Sequence, residues 1–350
     1  MAPRKGNMMT VRNDVKVLDA TIRDGGLCNN FEFTDEFVTE LYKTNIKSGV
    51  DYMEFGYRAS KNMFNPDEFG KWKFCDEEDI RKIVGDNISD MKISVMADVG
   101  RCDFKTDFVP KSESVIDMVR VACYIHQIPA AVEMVEYFHD LGYETTCNIM
   151  AVSQANSDQI AEALDMLGNS SVDVIYLVDS YGSLYPETAE ELAKKYLEVG
   201  EKYGKAIGFH AHNNQNLAFA NTIETMSYGV SYLDATAMGM GRGAGNCAME
   251  LLLGFLKILN IIYTAFLLLL KNTWFLLKKA AYSGDMIYSI CSPVSSTDIQ
   301  GRLWRLPLKT AVITVNFTRL CLKISNYVFE RRGLYARVFL YAFCKSSIIC

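Results

Sequence analysis

From Lys16 to Met238 the chain alternates short apolar runs that read as strands with longer stretches whose apolar residues recur every three or four positions. The strand-like runs are Lys16–Ala20, Tyr52–Gly56, Lys92–Asp98, part of Ser114–Ala122, Glu144–Ala151, Val174–Asp179, Ala206–His212 and Tyr232–Met238. Helical patterns lie between them at Asp35–Ser48, Ile128–Leu141, Ser157–Leu167, Pro186–Tyr203 and Asn216–Tyr228. Thr34, Ser157 and Pro186 mark helix starts. Strands alternating with helices at this spacing imply right-handed βαβ units, so the chain is α/β with a parallel sheet. Two architectures survive: a closed (β/α)8 barrel and an open doubly wound sheet.

The placement of polar residues decides between them. Arg23, Asp24, Glu54, Asp98, Asp179, His210, His212 and Asn246 all fall at or just past the C-terminal ends of the strand-like runs. That is the face on which barrel active sites form. An open sheet would leave the first and seventh runs far apart, whereas closure brings them together. The expectation is a (β/α)8 barrel followed by an atypical C-terminal tail.

Within Thr21-Ile-Arg-Asp-Gly-Gly26, a strand is expected to deliver Arg23 and Asp24 to a glycine turn. In Phe209-His-Ala-His-Asn213 the two histidines sit at i and i+2, on one face of a strand. Asp24, His210 and His212 therefore make a two-histidine, one-carboxylate set for a divalent metal, with positions left for substrate oxygens. Glu54, Asp98, Asp179 and Asp234 are expected chiefly to orient Arg23 or the histidines. His126 and His139 lack such company and read as ordinary helix or surface residues, although His126 follows the fourth strand.

These segments, with Gly239-Met-Gly-Arg-Gly-Ala-Gly-Asn246, resemble the metal-dependent aldolase and lyase superfamily that includes hydroxymethylglutaryl-CoA lyase, isopropylmalate synthase and 4-hydroxy-2-oxovalerate aldolase. The resemblance runs from about residue 16 to about 257 and preserves motif order. It implies a TIM barrel and a divalent metal, Mn²⁺ or Mg²⁺ with Zn²⁺ or Co²⁺ as alternatives. It also implies Asn246 as a further oxygen ligand and Arg23 as the cation that holds an enolate oxygen. A pyruvate-like 2-oxo acid is the implied substrate, in a lyase, aldolase or Claisen-type synthase reaction. Arg23, Glu54, Gly243 and Gly245 are expected on the substrate side, the glycines as a turn that accepts a phosphate or lets substrate approach the backbone.

Two departures from the family pattern matter. The oxovalerate aldolases carry a histidine soon after Arg-Asp-Gly, thought to be the base, and here Leu27 stands in that region. Cys28, Tyr57 and Tyr181 are the candidate replacements. The lyase cysteine lies ahead of the asparagine, whereas Cys247 follows it, so hydroxymethylglutaryl-CoA cleavage is not expected. A metal-dependent hydrolase, in which the same ligands activate water, and a non-catalytic relative remain as alternatives.

Composition bounds the rest. A net charge of −6 argues against a general nucleic-acid surface. Residues 258–350 hold three acids against twelve Lys and Arg, about +9, leaving about −15 for the remainder. They also lose periodicity, so a tail that is frame-shifted or poorly ordered is expected there, beyond a barrel spanning 15–257 and a disordered N-terminus at 1–14. The uncharged run Ile258–Leu270 is 13 residues, short of the roughly 20 needed to span a membrane. Ten cysteines form no Cys-x-x-Cys pair, and the polar N-terminus lacks a signal-peptide core. The expected setting is the cytoplasm, with no nucleic-acid or membrane partner and with a homodimer open.

Overall fold

The computed structural model describes residues 14–256. Eight parallel strands close on themselves in sequence order: β1 Lys16–Asp19, β2 Tyr52–Tyr57, β3 Lys92–Asp98, β4 Met118–Tyr124, β5 Glu144–Met150, β6 Val174–Asp179, β7 Ala206–Ala211 and β8 Tyr232–Ala235. Closure is made by β1 against β8, Lys16 pairing with Tyr232 and Asp19 with Ala235. The open-sheet alternative is thereby excluded, and the architecture is the (β/α)8 barrel. Of the expected N-terminal segment 1–14 only Asp14 is described, and the expected tail 258–350 lies outside the described residues. Among the described residues no helix is long and apolar enough to cross a membrane.

Helices follow the strands: α1 Thr21–Gly25, α2 Asp35–Ser48, α3 Glu77–Val84, α4 Ile128–Asp140, α5 Ser157–Gly168, α6 Pro186–Tyr203, α7 Ala218–Tyr228 and α8 Met249–Leu256. Their apolar faces pack on the outer faces of the strands. The shared core includes Leu41, Phe55, Trp72, Phe138, Leu164, Tyr196 and Phe209, all essentially inaccessible. Thr34 starts α2 as expected, its hydroxyl accepting from the Phe37 N–H, an arrangement that contributes about 1 kcal/mol. Helix α5 begins at Ser157 as expected, but Ser157 does not cap it. Its cap is Asn156, which accepts from Gln159 N–H while the Gln159 side chain accepts from Asn156 N–H, and Ser157 is the first helical residue.

Two boundaries moved for physical reasons. Strand β1 ends at Asp19, and Arg23 and Asp24 ride on the five-residue helix α1 instead of a strand end. Asp19 causes the turn by accepting from the Thr21 N–H and hydroxyl. In β2 the register against β3 shifts between Glu54 and Tyr57, where Gly56 has φ 149°. A side chain at Gly56 would collide with the Trp72 carbonyl. The resulting bulge turns both Glu54 and Tyr57 toward the barrel axis.

Alternation along the strands then sorts the interior into layers. Leu18, Ala20, Tyr52, Met118 and Tyr232 form one apolar cluster inside the barrel. One step along the strands toward the C-terminal mouth come Glu54, Arg120, Tyr176, His210 and Asp234, all buried. Gly208 makes this layer fit, since any side chain there would run into the Tyr176 ring.

Candidate metal and active site

Asp24 sits at the centre of the mouth. Its Oδ2 lies 3.2 Å from His210 Nε2, 3.6 Å from His212 Nε2, 3.4 Å from Arg23 Nη1 and 2.8 Å from the Asn246 amide nitrogen. The ligating atoms of Asp24, His210 and His212 all lie within 4.8 Å of one another, and all three residues are buried. The two histidines reach the same point because His210 lies near the end of β7 and His212 continues its extended path one residue beyond, in a bridge to Asn246, so their two-residue spacing keeps both rings on one face.

Each ligand is prepared differently. Burial would push the Asp24 carboxyl upward, but Arg23 and the two imidazoles outweigh it and hold it well below the usual carboxylate range. Burial pulls His212 down to about 4, so the imidazole is neutral at pH 7, the form that binds a metal. For His210 burial again opposes charge, but the carboxylates of Asp234 and Asp24 overcome it and raise the ring above the ordinary imidazole value. Asp234 Oδ2 lies 2.9 Å from His210 Nδ1, so the proton belongs on Nδ1 and Nε2 is free to ligate.

Two buried atoms at this point lack a hydrogen-bond partner, His210 Nε2 and Asn246 Oδ1. Orphaned polar atoms are costly in a protein interior, and a divalent cation would satisfy both. One carboxylate, two imidazole nitrogens and an amide oxygen suit a divalent metal by donor type. The residues present therefore fit a metal.

Comparison with known proteins places this geometry. The family model described as HMGL-like matches residues 14–268. The chain belongs to the HMGL-like family. Its relatives include an oxaloacetate decarboxylase from Mycobacterium tuberculosis, 28% identical over 71% of this chain and 72% of that protein. A 4-hydroxy-2-oxovalerate aldolase from Pelotomaculum thermopropionicum is 27% identical over 70% of each. Among solved structures, the N-terminal domain of a candidate aldolase from Bacteroides vulgatus superposes with TM-score 0.64 at 26% identity, covering 83% of this chain and 97% of that one. The HMG-CoA lyase from Brucella melitensis, with TM-score 0.55 at 15% identity over 74% of this chain and 98% of its own, shows the shared fold. As an HMGL-like protein the chain is an enzyme of the lyase and aldolase type, which favours carbon–carbon chemistry over the hydrolase alternative.

Within the HMGL-like barrel the remaining expected residues divide into those at the site and those elsewhere. Glu54 Oε2 accepts from Arg23 Nε at 2.9 Å and aims the guanidinium at Asp24. Asp179 instead accepts from the Ser183 and Leu184 N–H groups and closes the turn after β6. His126 stacks on Tyr124 with ring centroids 5.9 Å apart, and His139 lies in the last turn of α4, so neither joins the metal cluster. Gly243 and Gly245 have φ 66° and 84°. The Gly245 N–H donates to the Arg242 carbonyl, so this turn holds itself together and delivers Asn246. A side chain at Gly241 would collide with the Asn246 amide.

Sequence reasoning missed Arg120. It lies mid-strand in β4, wholly buried, and donates from Nη1 to Glu54 Oε2 at 3.0 Å and from Nη2 to Asp234 Oδ2 at 2.6 Å. Its guanidinium covers the Tyr176 ring at 4.4 Å. The available signal was a lone arginine inside the apolar run Met118-Val-Arg-Val-Ala122.

Proposed function

We propose that the protein makes or breaks the C3–C4 bond of a 2-oxo acid, one carbon removed from the keto group, so that a pyruvate-like fragment carries the enolate, with Mn²⁺ or Mg²⁺ held by Asp24, His210, His212 and Asn246. A bound divalent ion would act as a Lewis acid on the keto oxygen. The observation that carries the reading is the Arg23 guanidinium, fixed by Glu54 and set 3.4 Å from Asp24. Breaking the bond leaves its electron pair on the 2-oxo fragment as an enolate, and a buried, preoriented guanidinium stabilises that oxygen without reorganising. Both named relatives carry 2-oxo acids in their names, which supports the same substrate class here.

The test uses protein stripped with a chelator and reloaded with Mn²⁺ or Mg²⁺. Pyruvate release from 4-hydroxy-2-oxo acids and from oxaloacetate is followed by coupling to lactate dehydrogenase. Turnover that needs the added metal supports the reading; turnover unaffected by chelation, or release from none of these acids, would refute it.

A further inference from the structure

Enolate chemistry needs a group that carries a proton, and the candidates named from sequence do not supply one. The Cys28 thiol donates to the Gly241 carbonyl at 3.1 Å, and burial pushes it up to about 11. Burial also carries the Tyr57 phenol well above its ordinary value. Neither is a base at neutral pH. Tyr181 is exposed.

Asp98 has the geometry they lack. It ends β3 and shares a face with Met96, which pairs laterally with inward-facing Arg120, so its side chain enters the mouth from inside the barrel. Its Oδ1 is buried without a hydrogen-bond partner, and its Oδ2 stands 4.0 Å from Arg101 Nη1. Facing it is Lys73, whose ammonium lies 5.1, 4.6, 4.2 and 5.7 Å from the ring centres of Phe31, Tyr57, Phe64 and Phe69. Among the described residues that ammonium makes no hydrogen bond or ion pair. Asp98 is the strongest charged influence on Lys73, and Lys73 the strongest on Asp98, yet the two heads do not touch. Asp98 is also the foremost charged neighbour of the Tyr57 phenol, ahead of Arg23 and Asp24, so the carboxylate lies within electrostatic reach of the same ring as the guanidinium and Asp24.

We propose that Asp98 is the catalytic proton carrier of this site, and that Lys73, caged by aromatic rings, is a positioning residue that holds the carboxylate toward the substrate. The proposal rests on the 2-oxo-acid reading above. For a 4-hydroxy-2-oxo acid, Asp98 takes the C4 hydroxyl proton and the O–H pair becomes the new carbonyl bond. The C3–C4 bond breaks, its pair becomes the C2–C3 double bond, and the C2 carbonyl pair moves to the oxygen beside Arg23. Returning the proton to C3 restores the 2-oxo acid and the ionised Asp98. With pyruvate alone, the same carboxylate removes and returns a methyl proton.

Burial pushes Asp98 up to about 6, against the pull of Lys73, Arg101 and Arg23 and with a further push from Glu54. Tyr57 and Cys102 are the other titratable groups facing it, and both are protonated in this range. A base with its pKa near the working pH is ionised when needed and still basic enough to take a proton.

The experiment follows deuterium exchange into the pyruvate methyl group in D2O with Mg²⁺-loaded enzyme, across pH, with Mn²⁺ binding measured separately by electron paramagnetic resonance. Wild-type exchange should rise through an acidic limb near pH 6. Asp98→Asn should lose roughly 10²-fold or more of the exchange while binding Mn²⁺ as wild type does. Lys73→Met should move the limb upward by about one pH unit, since a lost cation makes the carboxylate harder to ionise, and Lys73→Arg should move it back. The proposal is overturned if Asp98→Asn exchanges at a rate near wild type with the same limb, or if it loses Mn²⁺ along with activity. A silent wild-type enzyme overturns the 2-oxo-acid reading and this step with it, and is distinguished by needing no variant to show it.

Discussion

Replacing Arg120 with Met is the sharpest test of how the barrel interior is built. The substitution keeps much of the volume and the contact with Tyr176, and removes one charge from a fully buried column. Arg23, Glu54, Arg120, Asp234 and His210 lie in a continuous row with contacts of 2.9, 3.0, 2.6 and 2.9 Å. Without Arg120, Glu54 keeps only Arg23 and Asp234 keeps only His210. Removing one partner of a buried pair costs about 3–5 kcal/mol, because the other charge is left in a medium that solvates it poorly. Part of this is offset, since the Arg120 Nε is itself buried without a partner and its desolvation is no longer incurred. A net loss of about 2–4 kcal/mol follows, which at about 2–4 °C per kcal/mol lowers Tm by roughly 4–16 °C. Unfolding should be followed by circular dichroism in the presence of EDTA, so that metal binding to the native state does not mask the change. The double variant Arg120→Met, Asp234→Asn should be more stable than Arg120→Met alone, because it removes the stranded charge. A single variant within 1 kcal/mol of wild type, or a double variant whose losses simply add, would show that the column is solvated and that charge pairing does not hold it.

Three other perturbations probe the site and its surroundings. Asp234→Ala should weaken Mn²⁺ binding about 10- to 100-fold by freeing the His210 ring to rotate and change tautomer, and calorimetric titration giving a wild-type Kd would refute this. Arg23→Lys should bind Mn²⁺ nearly as wild type yet lose roughly 10²-fold in pyruvate enolisation, since an ammonium does not reproduce the planar fork; unchanged deuterium exchange would make Arg23 structural. Burial pushes Glu250, which accepts from the Met238 N–H at 3.0 Å, from 4.5 up to about 7. The folded state therefore holds this proton more tightly than the unfolded chain, and stability is lost as pH rises from about 4.5 to 7. Glu250→Gln should recover at most about 3 kcal/mol at pH 8 and nothing at pH 4, as read from urea unfolding at the two pH values.

The barrel was legible because its signals are local and repeated: eight apolar runs, their spacing, and polar residues gathered toward the C-terminal ends of most of them. The gathering of Asp24, His210 and His212 was legible because the two histidines stand two residues apart at a strand end, a pattern that commits both rings to one side. What the sequence concealed depends on register. Arg120 reads as a stray charge in an apolar strand, and only barrel closure, which turns the inner faces of β2, β4 and β8 toward one another, shows it between Glu54 and Asp234. The bulge at Gly56 is equally silent: without it Tyr57 would face the helices, away from Lys73. Lys73 itself comes from the long connection after β2, where sequence offers no period to say which residue turns inward.

The same contrast separates the charges that hold this site from the one assigned to proton transfer. In the column from Arg23 to His210 every charged group has an opposite neighbour in hydrogen-bond contact, so moving any one of them strands a charge in the core. The column joins β2, β4, β7 and β8 to α1, and it fixes the Arg23 guanidinium and the His210 imidazole relative to each other across the barrel interior. A loop motion that left the strands in place would not change that separation. Asp98 is arranged in the opposite way: one oxygen unpartnered, the other 4.0 Å from its nearest cation, and Lys73 close enough to influence it without bonding to it. A carboxylate engaged like Asp234 would be held too firmly ionised to accept and return a proton, because each protonation would break a buried ion pair. One held as loosely as Asp98, whose only ion pair is the 4.0 Å approach of Arg101 among the described residues, can change charge without disturbing the framework, which suits it to the proton transfer proposed above.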